Sequence, residues 1–218
     1  MYAKHSRLTK WKRGQLVTEW VHATPARVTA RKLHLHRNTV NLWYGRIRKR
    51  IPLLPPPLPF SGEVEADETY LGEKRPGVAG RGTADLVPVF GILHRETRQV
   101  YATVVSGTSA EFLLLIICRC VVEDTTIYSD GFGAYRHLDL LGYRHIVVPH
   151  AYTYSRGNGV HSNGIESFWA YLQHLLRARR GLPRDRYEEH IQEAVFRFNN
   201  RDPKVLRRNI RRILHSIA

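Results

Sequence analysis

Three acidic residues of this chain lie in surroundings suited to metal binding. Asp67 falls within an alternating, strand-like segment (residues 63–70), and Asp130 ends a second strand-like run just before Gly131. Glu166 lies at the start of an amphipathic helical segment. Mg²⁺ prefers oxygen ligands, and a pair of such ions can stabilise both the attacking and the leaving oxygen of a phosphoryl displacement. The sequence therefore predicts a two-metal site in which Asp67, Asp130 and Glu166 are catalytic residues and metal ligands.

The local context of these acids carries more weight than their spacing. Residues 51–172 contain 13 Asp and Glu, so a pair at any given separation arises easily by chance. For any one acid alone, a solvated surface position is the simpler interpretation. Asn163 lies one turn before Glu166, and its amide oxygen is an alternative, weaker third metal ligand.

Other polar residues lie near the predicted site. Glu65 shares a strand face with Asp67 and could supply an additional site acid, whereas Glu68 faces the opposite way. His161 precedes Glu166 by five residues. It could contact the scissile phosphate, and a structural hydrogen bond within a loop is an equal alternative.

Hydrophobic periodicity outlines the elements that would position these side chains. It predicts strands at 62–71, 84–94, 98–106, 125–130 and 144–149, and helices at 109–122, 132–141, 163–180 and 186–200. A series of hairpins followed by alternating helices and strands is typical of an α/β fold with a mixed sheet and flanking helices.

The first fifty residues show the pattern of a small all-α DNA-binding domain. We predict helices at 8–23 and from Pro25 to about Leu33, a turn at 34–37, and a basic helix at 40–50 capped by Asn38 or Thr39. Helix, turn and basic helix is the layout of a helix-turn-helix, whose second helix enters the major groove. An ordinary three-helix basic bundle, which would bind DNA without sequence choice, is the alternative.

The helix-turn-helix interpretation predicts two kinds of DNA contact. Side chains before and at the start of the basic helix would approach base edges: Arg37, Asn38, Thr39 and Asn41. Side chains near its end would meet phosphates: Arg46, Arg48, Lys49 and Arg50.

Charge is unevenly distributed along the chain. Residues 1–50 carry 13 Lys and Arg against one acid, residues 51–172 carry 9 against 13 acids, and residues 173–218 carry 12 against 5. Phosphate neutralisation supplies much of the affinity of proteins for DNA. Basic ends around an acidic centre therefore fit a protein that grips double-stranded DNA on both sides of a metal site.

Cysteine content and hydropathy indicate the expected cellular location. Cys118 and Cys120 are too close on one helix for a strain-free disulfide and have no partner cysteines for zinc, so we expect both to be buried thiols. The basic N-terminus lacks an apolar stretch, and the longest apolar run, Phe112–Cys118, is too short to span a bilayer. We expect a cytoplasmic, nucleoid-associated protein without a membrane partner.

Several segments, in their order and spacing, resemble a known family. They are Glu-Ala-Asp-Glu-Thr-Tyr-Leu-Gly at 65–72, Val-Pro-Val-Phe-Gly-Ile-Leu at 87–93, Ser-Asp-Gly at 129–131 with Ala134-Tyr135, His-Ser-Asn-Gly-Ile-Glu-Ser-Phe-Trp at 161–169, and Arg-Phe-Asn at 197–199. Over roughly residues 61–201 the chain resembles bacterial insertion-sequence transposases of the DDE type, in the branch with an integrase-like domain. The resemblance implies an RNase H-like fold, Mg²⁺-dependent cleavage of DNA strands and their transfer into target DNA.

Two features depart from that family pattern. The branch usually has a Lys seven residues after the acid on the helix, where this chain has Gln173, and a neutral amide cannot neutralise a phosphate. Arg177, one turn further on, would be the substitute DNA contact. Many relatives also begin with a cysteine-rich zinc ribbon, which is not present here.

Residues and resemblance together predict a DNA transposase with three regions. These are a helix-turn-helix domain at 1–50, a proline-rich linker at 51–60, and an RNase H-like catalytic domain with C-terminal basic helices at 61–218. We expect two Mg²⁺ ions, with Mn²⁺ as a substitute, action on terminal inverted repeats and target DNA, and a homodimer or higher oligomer on DNA. The alternatives are an inactive remnant that binds DNA sequence-specifically, favoured by Gln173, and a structure-selective nuclease on the same fold.

Overall fold

The computed structural model describes residues 8–53, 58–72, 86–148, 162–179 and 182–215. In chain order, the helices and strands are α1 (Lys10–Val21), α2 (Ala26–Lys32), α3 (Arg37–Arg48), β1 (Glu63–Leu71), β2 (Val87–His94), β3 (Val100–Val104), α4 (Ala110–Cys120), β4 (Thr126–Ser129), β5 (Arg144–Val147), α5 (Asn163–Arg177), α6 (Tyr187–Asn199) and α7 (Pro203–His215). None of the helices in these ranges is long and apolar enough to cross a bilayer.

The five strands form one mixed sheet in the order β3-β2-β1-β4-β5. β1 pairs antiparallel with β2, and β2 with β3, whereas β4 runs parallel to β1 and β5 parallel to β4. The parallel step from β3 to β4 requires a crossover, and α4 provides it. This strand order, with helices on both faces, is that of an RNase H-like fold and confirms the predicted fold class.

Side chains of the sheet alternate between two buried layers, because successive residues of a strand point to opposite faces. α4 covers one face with Leu113 and Ile117. α5 and α6 cover the other face, where Phe168 and Val195 share a core with Val89 of β2. The central strand β1 is therefore enclosed on both sides along its first half.

Side chains of α6 occupy the edge of the sheet at β3. Asn199 Oδ1 accepts a hydrogen bond from the Val100 N–H, and Asn199 Nδ2 donates to the Val100 carbonyl, each at 2.8 Å. Glu188 Oε2 accepts a bond from the Val104 N–H at 2.8 Å. These contacts satisfy backbone groups that an edge strand would otherwise expose, and they hold α6 on the sheet.

The first three helices form a small bundle together with the last helix. Trp20, Val40 and Ile47 of α1 and α3 share one buried core with Ile210 and Leu214 of α7. The opposite side of α7 is cationic, because its 13 residues include five Lys or Arg and no acid. A C-terminal basic helix thus packs with the N-terminal bundle, and the predicted domain limits remain a prediction.

The start of α3 differs from the prediction. His36 is the N-cap, because its Nδ1 accepts a hydrogen bond from the Asn38 N–H at 3.2 Å, and the helix begins at Arg37. Asn38 and Thr39 lie inside the first turn and do not cap it. Pro25 similarly precedes α2 and does not form its first residue.

Two other local predictions are wrong. Residues 132–141 form two 3₁₀ turns, Gly133–Tyr135 and Asp139–Leu141, instead of one helix. Cys118 is an exposed thiol, and only Cys120 is buried, because the apolar run of α4 is longer than the stripe that faces the core.

Candidate active site

Strand pairing brings the first two acids together. The parallel register of β1 and β4 aligns Glu65 with Tyr128. Asp67 and Asp130 each follow two residues later, at equivalent positions on adjacent strands. Because neighbouring strands lie about 4.8 Å apart, both carboxylates belong to the same end of the central strand pair.

A tryptophan of α5 and a glycine of β2 define the surroundings of Asp67. Trp169 Nε1 donates a hydrogen bond to Asp67 Oδ2 at 2.9 Å. Gly91 lies opposite Asp67 in the antiparallel pair, and a Cβ atom there would lie 2.6 Å from the Trp169 ring. The indole reaches Asp67 only because residue 91 has no side chain.

Glu65 fixes the start of α5 on the sheet. This fully buried carboxylate pairs with Arg95 Nε at 3.1 Å, and its Oε2 accepts a hydrogen bond from the Ile165 N–H at 2.8 Å. A Cβ atom at Gly164 would lie 2.6 Å from the same oxygen. Glu65 shares a face with Asp67, as predicted, but it serves as a helix anchor and not as an additional site acid.

The anchored helix carries the third acid. Glu166 lies in the first turn of α5, is exposed, and faces the Ser162 hydroxyl at 3.5 Å. Asp130 is partly exposed at the end of β4, and its Oδ1 accepts a hydrogen bond from the Phe132 N–H at 3.0 Å. Both carboxylates thus have solvent access.

The three acids influence one another electrostatically. Burial raises the pKa of Asp67 to about 6, and the negative charges of Asp130 and Glu166 add to this rise. The hydrogen bond from Trp169 opposes it, because the bond stabilises the ionised form. The fold therefore brings Asp67, Asp130 and Glu166 into one electrostatic group.

Glu68 is a fourth member of this group. It faces the α4 side of the sheet beside Tyr135, and burial, with the charges of Asp67 and Asp130, raises its pKa to about 7. The neighbouring Tyr135 hydroxyl opposes this rise. Sequence reasoning assigned Glu68 to the opposite face and did not predict its proximity to Asp130.

The donor chemistry fits a hard divalent cation. All three acids offer oxygen atoms, and a cation would offset the repulsion and burial that raise the pKa of Asp67. In the described ranges, no three His, Cys, Asp or Glu side chains already form a group that could hold a metal ion. The fold brings the three carboxylates into one region, but in the described residues their side chains are not positioned as a complete set of metal ligands.

The other predicted site residues lie at varying distances from the acids. Asn163 is the exposed first residue of α5, one turn before Glu166, and His161 lies outside the described residues. Gln173 is exposed. Arg177 lies eleven residues after Glu166, roughly 16 Å along the helix, and its role as the substitute DNA contact remains a prediction.

Most of the predicted DNA-contacting residues are accessible on α3 and just after it. Arg37, Asn38, Asn41 and Lys49 are exposed, Thr39 and Arg46 are half-buried, and Arg50 is half-buried and donates to the Arg46 carbonyl. The structure places no DNA against them, and their roles remain predictions.

Arg48 does not form the phosphate contact that the helix-turn-helix interpretation predicts. Its side chain is buried, and its Nε donates to Glu193 Oε2 at 2.6 Å. Arg179 and Arg197 bond the other oxygen of Glu193 at 2.7 and 2.8 Å. Arg197 also donates to the Trp20 and Val21 carbonyls, so this junction joins α3 and α1 to α6.

Comparison with known proteins identifies the family. The sequence profile of the ISXO2-like transposase domain matches residues 59–199, well over half of the chain. The chain belongs to the ISXO2-like transposase family. This confirms the resemblance to insertion-sequence transposases of the DDE type. The matched span includes all three acids and excludes α1–α3 and α7.

Relatives of this transposase-family chain include two described proteins. An uncharacterized transposase-like protein of Haemophilus influenzae is 33% identical over 106 residues, which cover 49% of this chain and 85% of that protein. An uncharacterized protein in the transposable element ISH50 of Halobacterium salinarum is 29% identical over 172 residues. That match covers 71% of this chain but 58% of the relative, so this chain spans little more than half of its length.

Similar solved structures include retroviral integrases. The catalytic core domain of BIV integrase aligns with a TM-score of 0.40 and 14% identity, covering 63% of this chain and 83% of that one. The HTLV-2 integrase catalytic core domain in complex with magnesium aligns with a TM-score of 0.39 and 15% identity, covering 66% and 87%.

Proposed function

We propose that this chain is a DNA transposase that cuts the ends of an insertion sequence and joins them to target DNA. The observation that carries the proposal is the gathering of Asp67 in β1, Asp130 just after β4 and Glu166 in the first turn of α5 within a transposase-family domain. The basic α3 and α7 supply cationic surface for a polyanionic substrate.

Asp67, Asp130 and Glu166 would hold two Mg²⁺ ions, with Asn163 as the alternative third ligand. When bound, the ions supply charge neutralisation and align the attacking and leaving oxygens of an in-line phosphoryl transfer. Trp169 holds Asp67 in place by its hydrogen bond, and Glu65 sets the position of the first turn of α5. The same carboxylates would serve first strand cleavage and then attack by the freed 3′-hydroxyl.

The proposed substrate is double-stranded DNA carrying the element's terminal inverted repeats, followed by target DNA. Two ends must be brought together for transfer, so we propose a homodimer or larger assembly on DNA. Chromosomal DNA as substrate places the activity in the bacterial cytoplasm, at the nucleoid.

A second candidate is an inactive remnant that binds DNA as a repressor. Gln173 favours it, because relatives of this branch usually have a Lys at this position.

Incubation of the full chain with duplex DNA from either flank of its gene distinguishes these functions. We expect strand cleavage at the element's ends with Mg²⁺ or Mn²⁺ and none with EDTA. Cleavage that persists in the chelator contradicts the two-metal mechanism. Specific binding without cleavage supports the remnant, and cutting of branched DNA of any sequence supports the nuclease.

A further inference from the structure

The helical bundle and the C-terminal parts of the sheet domain enclose a cleft of about 920 Å³. One wall consists of the segment that leads into α2 and the start of α3. The opposite wall consists of the end of α5 and the start of α6. The buried carboxylate of Glu193, with its bonded arginines, lies between the two walls.

The charge of this cleft is strongly positive. Glu193 is the only acid among its described lining residues, and Arg48, Arg179 and Arg197 already bond it. His190 adds no negative charge, and burial with the nearby arginines lowers its pKa to about 3. Four further arginines line the cleft: Arg27, Arg37, Arg177 and Arg186.

These four outer arginines are available to a ligand. All are exposed, and among the described residues no carboxylate forms a salt bridge with Arg27, Arg37 or Arg177. Arg186 has only a surface pair with Glu189 at 3.1 Å. Like charges gathered around one cleft repel one another, so the arrangement favours a polyanion.

We propose that this cleft binds the phosphate backbone of double-stranded DNA and directs it along α5 to the three acids. Guanidinium groups match phosphate oxygens in planar, bidentate geometry. Asn41, on the α3 wall, belongs to the predicted base-reading surface and adds a neutral donor. The inference rests on the proposed transposase function, because it takes DNA as the ligand.

The geometry of α5 connects the cleft to the candidate active site. Arg177 ends the helix whose first turn carries Glu166, and the two lie roughly 16 Å apart along its axis. For a duplex that runs along α5, the distance of roughly 16 Å between Arg177 and Glu166 equals about five base-pair steps of 3.4 Å. A duplex held by α3 and the cleft would therefore meet the acids about half a helical turn away.

Salt-dependent binding of a short labelled duplex that carries an end of the element tests the cleft. We expect Arg27→Ala with Arg177→Ala to lower the slope of log affinity against log salt by about two, because each lost phosphate contact removes about one unit. Arg119→Ala with Arg144→Ala is the matched control. It removes the same charge from exposed positions outside the cleft lining and should leave the slope unchanged.

Each outcome decides the proposal. An unchanged slope in the cleft variant, or an equal fall in the control, overturns it, and so does wild-type protein that binds no duplex. End cleavage measured in the same samples keeps the two claims apart. Cleavage with an unchanged cleft slope refutes only the cleft, whereas the expected slope change without any cleavage supports the cleft and refutes the transposase activity.

Discussion

Carboxylates at two places in this molecule have opposite electrostatic surroundings. At the junction of α3 and α6, Glu193 is fully buried and bonded to three arginines. Burial alone would raise its pKa, but the arginine charges outweigh burial and hold the pKa far below its usual value. In the middle of β1, burial and neighbouring acids raise the pKa of Asp67 to about 6 and that of Glu68 to about 7.

At Glu193 the fold itself supplies the neutralising arginines, whereas at Asp67 the neighbouring charges are negative and favour a bound cation. Glu193 needs no further partner, so it acts as a structural junction. At Asp67 the neighbouring charges that shift the pKa are the negative ones of Asp130 and Glu166, which raise it. Removing an acid should therefore impair stability at the junction and chemistry at the three acids around Asp67.

The largest expected effect is the loss of cleavage when Asp67, Asp130 or Glu166 is replaced by its amide. Asp67→Asn, Asp130→Asn and Glu166→Gln should each lower end cleavage on the order of 10³-fold, because a metal's charge stabilisation supplies several kcal/mol. Binding of end DNA should be unchanged in a mobility-shift assay. Asn163→Ala should cost less. Normal cleavage by Glu166→Gln together with an inactive Asn163→Ala protein would move the third ligand role to Asn163.

Glu193→Gln should destabilise the fold by about 3–5 kcal/mol, because it leaves the buried Arg48 and Arg197 and the half-buried Arg179 without a full counter-charge. Chemical denaturation measures this change. Glu19→Gln is the matched control. It removes a partly exposed pair with Lys32 in the helical bundle and should cost less than about 1 kcal/mol. Equal losses in the two variants would contradict the contrast between buried and exposed pairs.

A smaller effect is expected at Trp169. Its hydrogen bond favours ionised Asp67, so Trp169→Phe should raise the pKa of this carboxyl from about 6 by about one unit. Metal-free Asp67 should then remain protonated to higher pH, and NMR titration of its carboxyl carbon measures the midpoint. Trp11→Phe, at an exposed position, is the control. A midpoint that stays in place would show that the indole does not stabilise the charge.

Sequence predicted the elements of the candidate site well, because alternation and helical periodicity are local signals. They indicated that Asp67 falls on a strand, that Asp130 ends one, and that Glu166 begins a helix. The mixed order of strands and helices also indicated the fold class. The pairing register of β1 with β4 brings Asp67 beside Asp130, and no local sequence pattern specifies that register.

Contacts between distant residues could not be predicted in the same way. Nothing near Arg48 indicates that Glu193, 145 residues away, would remove it from the DNA-binding surface. From sequence, Glu65 could be an additional site acid, because nothing near it indicates the contact with the Ile165 backbone 100 residues away, which Gly164 permits. The partners of Arg48 and Glu65 become visible only in the packed structure, because both contacts join buried residues that are distant in sequence.

Thermal unfolding with and without Mg²⁺ tests most directly whether the unbalanced acids form a cation site. Mg²⁺ at about 100 times its dissociation constant should stabilise the wild-type chain by roughly 2.7 kcal/mol for each bound ion. The Asp67→Asn/Asp130→Asn double variant should gain almost nothing, and without metal it should be at least as stable as wild type, because it lacks the repulsion. Equal stabilisation of both proteins by Mg²⁺ would contradict the account.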